Sequence, residues 1–379
     1  MSTKPKASGV YERLGVKPII NAAGTVTRLG GSRPRPEVLD AMAQAAVTMV
    51  NMAELNHQAG EVIARATGAE AGLVCNGAAS GLMLQAAAVI AGSNPARMAR
   101  LPDTDGMKNE IVIQTMHRFV YDQSYRAAGA KLVTVGEARK CQDWELEAAI
   151  NDRTAAVAYL FSPFTCKTPL PLPRVVEIAH AHGVPVIVDA ASMVPPRENL
   201  RKYIRQGADL VTISGGKGIL GPQGSGLLFG RKDLIDAAWA NASPNQFIGR
   251  GMKVSKEEIA GFVTALNIFV KEDEAAQMAR FRRMSQQVVD ALIEVPGVSM
   301  SIHHDDHDYL IPCALITLTK SWKGRPRAEL LKALESGNPP IHLQTTYQPE
   351  YEMAVDPFNV SEEELPVLIR RLREELTRR

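Results

Sequence analysis

The sequence predicts an α/β protein, with a large domain built on a mostly parallel sheet and a smaller α+β C-terminal domain. Three observations predict it. The chain has 379 residues, 45% of them hydrophobic, which is enough for two lobes. Short apolar, β-branched runs alternate with helical patterns from about residue 57 to about residue 230, the mark of crossover units. Near Ser255 the character changes, and capping-box signals at Ser255–Glu258 and Ser361–Glu364 open long helices.

The elements follow in order. The first ten residues are polar, and Tyr11–Asn21 with the turn-rich Gly24–Pro36 reads as an arm leading into a helix. Pro36 suits the first turn of that helix, which continues through Val38, Leu39 and Met42. A helix over Glu61–Thr67, an apolar run Gly72–Asn76 and an alanine-rich helix from Ala79 come next. Strand candidates are then Glu110–Thr115, Lys131–Val135, Ala155–Leu160, Pro185–Asp189 and Ala208–Ser214, with a helix over Arg174–His182 among them. Gly224–Gly230 adds one more strand. In the small lobe, Val298–His303, Ala314–Lys320 and Ile341–Tyr347 are the strand candidates. The expected bounds are an arm and helix over 1–56, a large domain over 57–254 and a small domain over 255–379.

Composition excludes several classes. With 43 basic and 41 acidic residues the net charge is +2, which argues against nucleic-acid binding by bulk electrostatics. The four cysteines, Cys75, Cys141, Cys166 and Cys313, form no CxxC pair and suggest a reduced, cytoplasmic setting. The N-terminal ten residues lack the apolar core of a secretory signal. The longest apolar stretch, around Leu82–Ala91, is too short to span a bilayer, so a soluble protein without a membrane partner is expected.

Three segments carry chemistry. In Ala208-Asp-Leu-Val-Thr-Ile-Ser-Gly-Gly-Lys-Gly218, a strand ends in Ser-Gly-Gly and a lysine follows. The glycines let the backbone approach a flat ligand, and an apolar setting lowers a lysine's pKa until its amine can attack an aldehyde. A solvated loop lysine is the competing reading. In Val184-Pro-Val-Ile-Val-Asp-Ala-Ala191, a carboxylate sits at the C-terminal end of an apolar strand, the edge where ligands of open α/β sheets collect. A helix N-cap is the alternative there. Asp189 and Lys217 lie 28 residues apart, room for one strand–helix–strand step. In Cys75-Asn-Gly-Ala-Ala-Ser-Gly81, small residues at a helix N-terminus can form a phosphate cup, or merely a tight turn. Two distractors are set aside: His303-His-Asp-Asp-His-Asp308 reads as a solvated turn rather than a metal site, and His180 and His182 as a helix's last turn.

Together these segments resemble the aspartate-aminotransferase-like (fold type I) pyridoxal-phosphate enzymes. The finer resemblance is to the selenocysteine-synthase-like group, that of L-seryl-tRNA selenium transferase and D-glucosaminate-6-phosphate ammonia-lyase. It is carried by Pro18-Ile-Ile-Asn-Ala-Ala-Gly-Thr25, Cys75-Asn-Gly-Ala-Ala-Ser80, Ser214-Gly-Gly-Lys217 with Gly221-Pro-Gln-Gly-Ser-Gly226, and Gly249-Arg-Gly-Met-Lys253. The resemblance implies a three-layer large domain and pyridoxal 5'-phosphate held as a Schiff base on Lys217, with Asp189 pairing the ring nitrogen. It implies that Gly77, Ala78 and Ala79, helped by Ser214, bind the cofactor phosphate. His117 becomes the candidate to stack on the ring, with Tyr121 and Tyr125 as rivals. Arg250 and Lys253 become candidates to bind an anionic substrate, and a homodimer or higher homo-oligomer is expected. Arg28, Arg33, Arg35, Arg118 and Arg126 are further options for a substrate carboxylate or phosphate.

The expected reaction is α,β-elimination on a β-hydroxy or sugar-derived amino acid, with release of ammonia. Selenium transfer to a charged tRNA is the runner-up, lowered by the near-neutral charge and by the arm's early start. Racemisation, aldol cleavage and transamination use the same core. A non-catalytic phosphometabolite-binding protein is the alternative of another class, and the presence of both Lys217 and Asp189 speaks against it.

Overall fold

The computed structural model describes residues 9–163, 169–345 and 349–378. Cys166 and Tyr347, named above, lie outside the described residues. Two compact units are formed, Met1–Gly31 with Asp273–Arg379, and Ser32–Glu272.

In chain order the strands are β1 (Ile20–Ala22), β2 (Ala71–Cys75), β3 (Glu110–Gln114), β4 (Lys131–Val135), β5 (Thr154–Leu160) and β6 (Val186–Asp189). They continue with β7 (Leu210–Ser214), β8 (Gly226–Gly230), β9 (Val298–His303), β10 (Cys313–Leu318), β11 (Ile341–Leu343) and β12 (Glu352–Val355). Unit Ser32–Glu272 holds one seven-stranded sheet in the order β2-β8-β7-β6-β5-β3-β4. Neighbours from β7 through β4 pair in parallel, and β8 is antiparallel to both β7 and β2. The strands β3, β5, β6, β7 and β8 are buried along their whole length, which is why they read as continuous apolar runs.

The helix after β2 starts at Gly77, two residues earlier than expected, and runs to Ala91. It is alanine-rich and buried nearly all round, and it packs on β7 and β8. Glycine is required at its third turn-facing position: a Cβ on Gly81 would come 2.7 Å from the Thr212 side chain and 3.2 Å from the Cys75 sulfur. The preceding helix, expected at Glu61, begins at Met52, where the Asn51 side chain accepts from the Ala53 and Glu54 amides.

Ser255 opens a helix over Lys256–Phe269 with the expected capping box. This helix packs on the helices Pro36–Ala46 and Met52–Thr67 of the large unit. Lys256 donates to the Ala45 and Ala46 carbonyls at the end of the first of these. The compact units therefore divide elsewhere than the expected bounds at 57 and 255.

In the other unit, β12-β10-β9 form an antiparallel sheet. β11 pairs in parallel with β1, so the arm is built onto C-terminal residues. The Ser361–Glu364 box forms, one turn ahead of the regular helix Leu365–Thr377. The His303–Asp308 segment makes a turn in which Asp305 Oδ1 accepts from the His307, Asp308 and Tyr309 amides. No helix among the described residues is long and apolar enough to cross a membrane.

Gly81→Ala is expected to lower stability by about 1–3 kcal/mol through overpacking against Thr212. A denaturant titration with an unchanged midpoint would show that the helix can move off the sheet.

Candidate active site

Parallel pairing of β6 with β7 places Asp189 opposite Thr212, one strand from the segment that carries Lys217. Two residues beyond Thr212, Ser214 pairs with Gly226, which in turn pairs with Cys75. The ends of β6, β7 and β2 thus line up along one edge of the sheet. Lys217 and Asp189 feel each other's charge there.

Asp189 is 7% exposed. Burial pushes its carboxyl from 3.8 up to about 6, against the opposing pull of the Ala191 amide and of Lys217. Oδ1 accepts from the Ala191 amide at 3.0 Å. Lys217 is partly buried, and burial lowers its amine below the ordinary lysine value while Asp189 holds it up. The lysine loop is tightly tied. Gly215 N donates to Ser225 O, Gly221 N to Gly215 O, and the Ser32 hydroxyl to the Gly216 carbonyl at 3.0 Å. A Cβ on Gly218 would lie 1.9 Å from the Val194 carbonyl oxygen. Leu220, with φ 61°, is the non-glycine residue in the left-handed region among those described.

His117 is 1% exposed, and neither ring nitrogen has a hydrogen-bond partner among the described residues. Burial takes it down to about 3, so the ring is neutral at any ordinary pH. Its edge meets Tyr159 at 4.3 Å between centroids. His117, Tyr121, Tyr125, Tyr159 and Asp189 line one cavity. Within this group, Tyr125 is buried and Tyr121 half exposed.

Gly77 starts its helix at φ 68°, a conformation that favours glycine. No side chain caps this helix: Asn76 instead donates to the Lys253 carbonyl at 3.0 Å. A Cβ on Gly226 would come 2.7 Å from the Gly77 carbonyl carbon, so the turn of Gly77, Ala78 and Ala79 sits directly on the start of β8. An uncapped helix N-terminus beside the lysine edge suits an anion.

Not every candidate converges. Arg250 and Lys253 do not line the His117–Asp189 cavity. They line another, of about 460 Å³, with Cys75 and Val74 in its wall and no partner for either side chain among the described residues. Arg118 and Arg126 both pair with Asp122, and Arg35 pairs with Glu272, so these three are engaged. Ser32, Gln85, Thr212 and Tyr159 surround the site and were not singled out by sequence. Only Gln85 left a trace there, as a lone amide in an alanine–leucine helix.

The family model described as L-seryl-tRNA selenium transferase matches residues 19–295. The chain belongs to this family. It is 34% identical over 370 residues to D-glucosaminate-6-phosphate ammonia lyase of Salmonella typhimurium, covering 96% of this chain and 97% of that protein. It is 35% identical over 371 residues to 5'-C-glycyluridine monooxygenase-decarboxylase of a Streptomyces species, covering 96% and 91%. A solved structure of D-glucosaminate-6-phosphate ammonia-lyase matches with a TM-score of 0.86 at 33% identity, over 97% of this chain and 98% of that one. The fold is therefore that of the fold type I pyridoxal-phosphate enzymes, as expected from the sequence.

The folded protein keeps the Asp189 proton to a higher pH than the unfolded chain does. Its stability contribution therefore falls as pH rises from about 4 to about 6, by on the order of 3 kcal/mol at most. Cofactor-free Asp189→Asn should be more stable than the parent at pH 7 and no more stable near pH 3.5. An equal gain at both values would show that the carboxyl is not held out of water.

Proposed function

We propose that the chain is a pyridoxal-phosphate-dependent lyase that eliminates ammonia from a β-hydroxy, sugar-derived amino acid. One observation carries the reading. A buried carboxylate and a buried amine meet at one sheet edge, beside an unpartnered histidine ring and an uncapped helix, in a chain similar along its length to an ammonia lyase. The amine, the acid, the cavity shared by His117 and Asp189 and the uncapped turn are features that suit the cofactor.

When bound, pyridoxal phosphate supplies an aldehyde for amines and a ring that takes up electrons released at Cα. Lys217 would hold the cofactor through its Nζ, and that amine would serve as the base for the substrate's Cα proton. Burial lowers that amine's pKa, against the pull of Asp189, and so favours its proton-accepting form. Asp189 holds the proton at the ring nitrogen. His117, neutral and buried at the cavity wall, would bring no competing charge beside the ring. The amides of Gly77, Ala78 and Ala79, with the Ser214 hydroxyl, hold the phosphate. Arg250 and Lys253, in the neighbouring pocket that they line with Val74 and Cys75, would take an anionic substrate tail that reaches beyond the His117–Asp189 cavity. Loss of the Cα proton and the β-hydroxyl as water would leave an enamine, and hydrolysis of its imine form by water would give the 2-oxo acid and ammonia.

Both relatives' names describe an amino acid built on a sugar, which supports that substrate class. The Streptomyces relative also supports a second reading, oxidation with decarboxylation. On either reading the protein works in a reducing cytoplasm, with Cys75, Cys141 and Cys313 buried and unpaired, and as a homodimer. The large apolar side chains Val47 and Met49, almost fully exposed, support assembly.

Borohydride reduction of the cofactor-loaded protein should place the label on the peptide of Lys217, and Lys217→Ala should show no label. Label on another lysine would overturn the assignment.

Sugar-derived β-hydroxy amino acids, phosphorylated and not, should yield equal amounts of ammonia and 2-oxo acid without oxygen uptake. Oxygen consumption with carbon dioxide release would establish the second reading instead, and α-deuterium loss without ammonia would point to racemisation.

A further inference from the structure

We infer that Gln85 is a positioning residue that sets the span between the phosphate-holding turn and Asp189. The inference rests on the function proposed above and adds to it a residue in none of the three segments that carry the chemistry.

Gln85 lies on the helix Gly77–Ala91, two turns after the turn that begins it, and is 0% exposed. Its Nε2 donates to the Val188 carbonyl at 3.1 Å, and Val188 is the residue before Asp189 on β6. Its Oε1 accepts from the Tyr125 hydroxyl at 3.3 Å. Tyr125 is itself buried, lines the cavity with His117 and Asp189, and feels the charges of Asp189 and Asp122. One amide thus links the helix that presents the anion-ready turn to the strand that presents the carboxylate.

The same helix already packs Leu82, Leu84 and Ile90 into the core, with Ala86, Ala87 and Ala88 buried as well. Each residue of slip along a helix is a 1.5 Å displacement. Because the anion-ready turn is the helix's own N-terminus, any slip moves it directly relative to Asp189. Burying an amide costs free energy unless both of its ends are bonded, and here both are. A directional bond at this point adds to that packing a contact aimed at the residue next to Asp189.

The experiment uses the full-length protein and two replacements, Gln85→Leu, which keeps bulk and apolar packing, and Tyr125→Phe, which removes one partner of the amide. Three quantities are measured: the thermal midpoint of the cofactor-free protein, the dissociation constant for pyridoxal phosphate, and the pH midpoint of the bound cofactor's absorbance. Gln85→Leu, which removes both bonds of the amide, is expected to weaken cofactor binding about tenfold. It should also shift the absorbance midpoint, because Asp189 no longer meets the ring as before. Tyr125→Phe should move both in the same direction by less. A lowered thermal midpoint with the dissociation constant and pH midpoint of the folded protein unchanged would make Gln85 purely structural and overturn the inference. If the parent protein binds no pyridoxal phosphate at all, the function proposed above fails and this inference falls with it; a parent that binds normally beside an unaffected variant sinks this inference alone.

Discussion

The burial of Asp189 beside Lys217 is the constraint on which the site depends. Neither group is comfortable: the carboxyl is pushed up to about 6 and the amine is pushed down, each by loss of water. Each partly relieves the other. A sheet can impose this only by delivering both to the same edge, and parallel β6 and β7 do so because each crossover returns the chain to the same end. The antiparallel β8 then folds back beside β7 and brings Gly226 against Gly77, so that the third segment arrives at the same edge.

The loop after β7 shows how much backbone is committed to one side chain. Gly215, Gly216, Gly218 and Gly221 each sit where a Cβ would come within 3.0 Å of a neighbour, and Leu220 is held at positive φ. Hydrogen bonds from Gly215, Gly221 and Ser32 hold the turn closed. A lysine on an exposed, mobile turn would keep its ordinary basicity. Here the turn has no room to relax, and Lys217 stays where burial lowers its pKa.

Much of this was legible in the sequence because buried parallel strands are written as local runs. β6 and β7 each end an apolar run at a polar residue, and the spacing from Asp189 to Lys217 already implied neighbouring strands. What was not legible depends on distant partners. β1 is three residues long and is a strand only because β11 pairs with it from the other end of the chain, and β12 was not anticipated at all. The Ser255 capping box announced a helix correctly, yet the unit that helix packs on is set by contacts of Lys256 and its neighbours with residues near 45. Arg118 and Arg126 looked available in sequence, and only the fold shows both committed to Asp122.

The two orphaned nitrogens of His117 and the bonded amide of Gln85 make opposite use of burial. Gln85 satisfies both ends of its amide inside the protein and so adds direction without an unmet group. His117 satisfies neither, and the protein tolerates that desolvation at the wall of a cavity it shares with Asp189. An unmet polar group in a packed interior is expensive, and a fold optimised for stability alone would fill the position with a leucine or bond the ring. Gln85 is fully bonded where it joins helix to strand, and His117 is left unbonded at the wall of the cavity it shares with Asp189, so the two buried polar groups contribute to the fold in opposite ways.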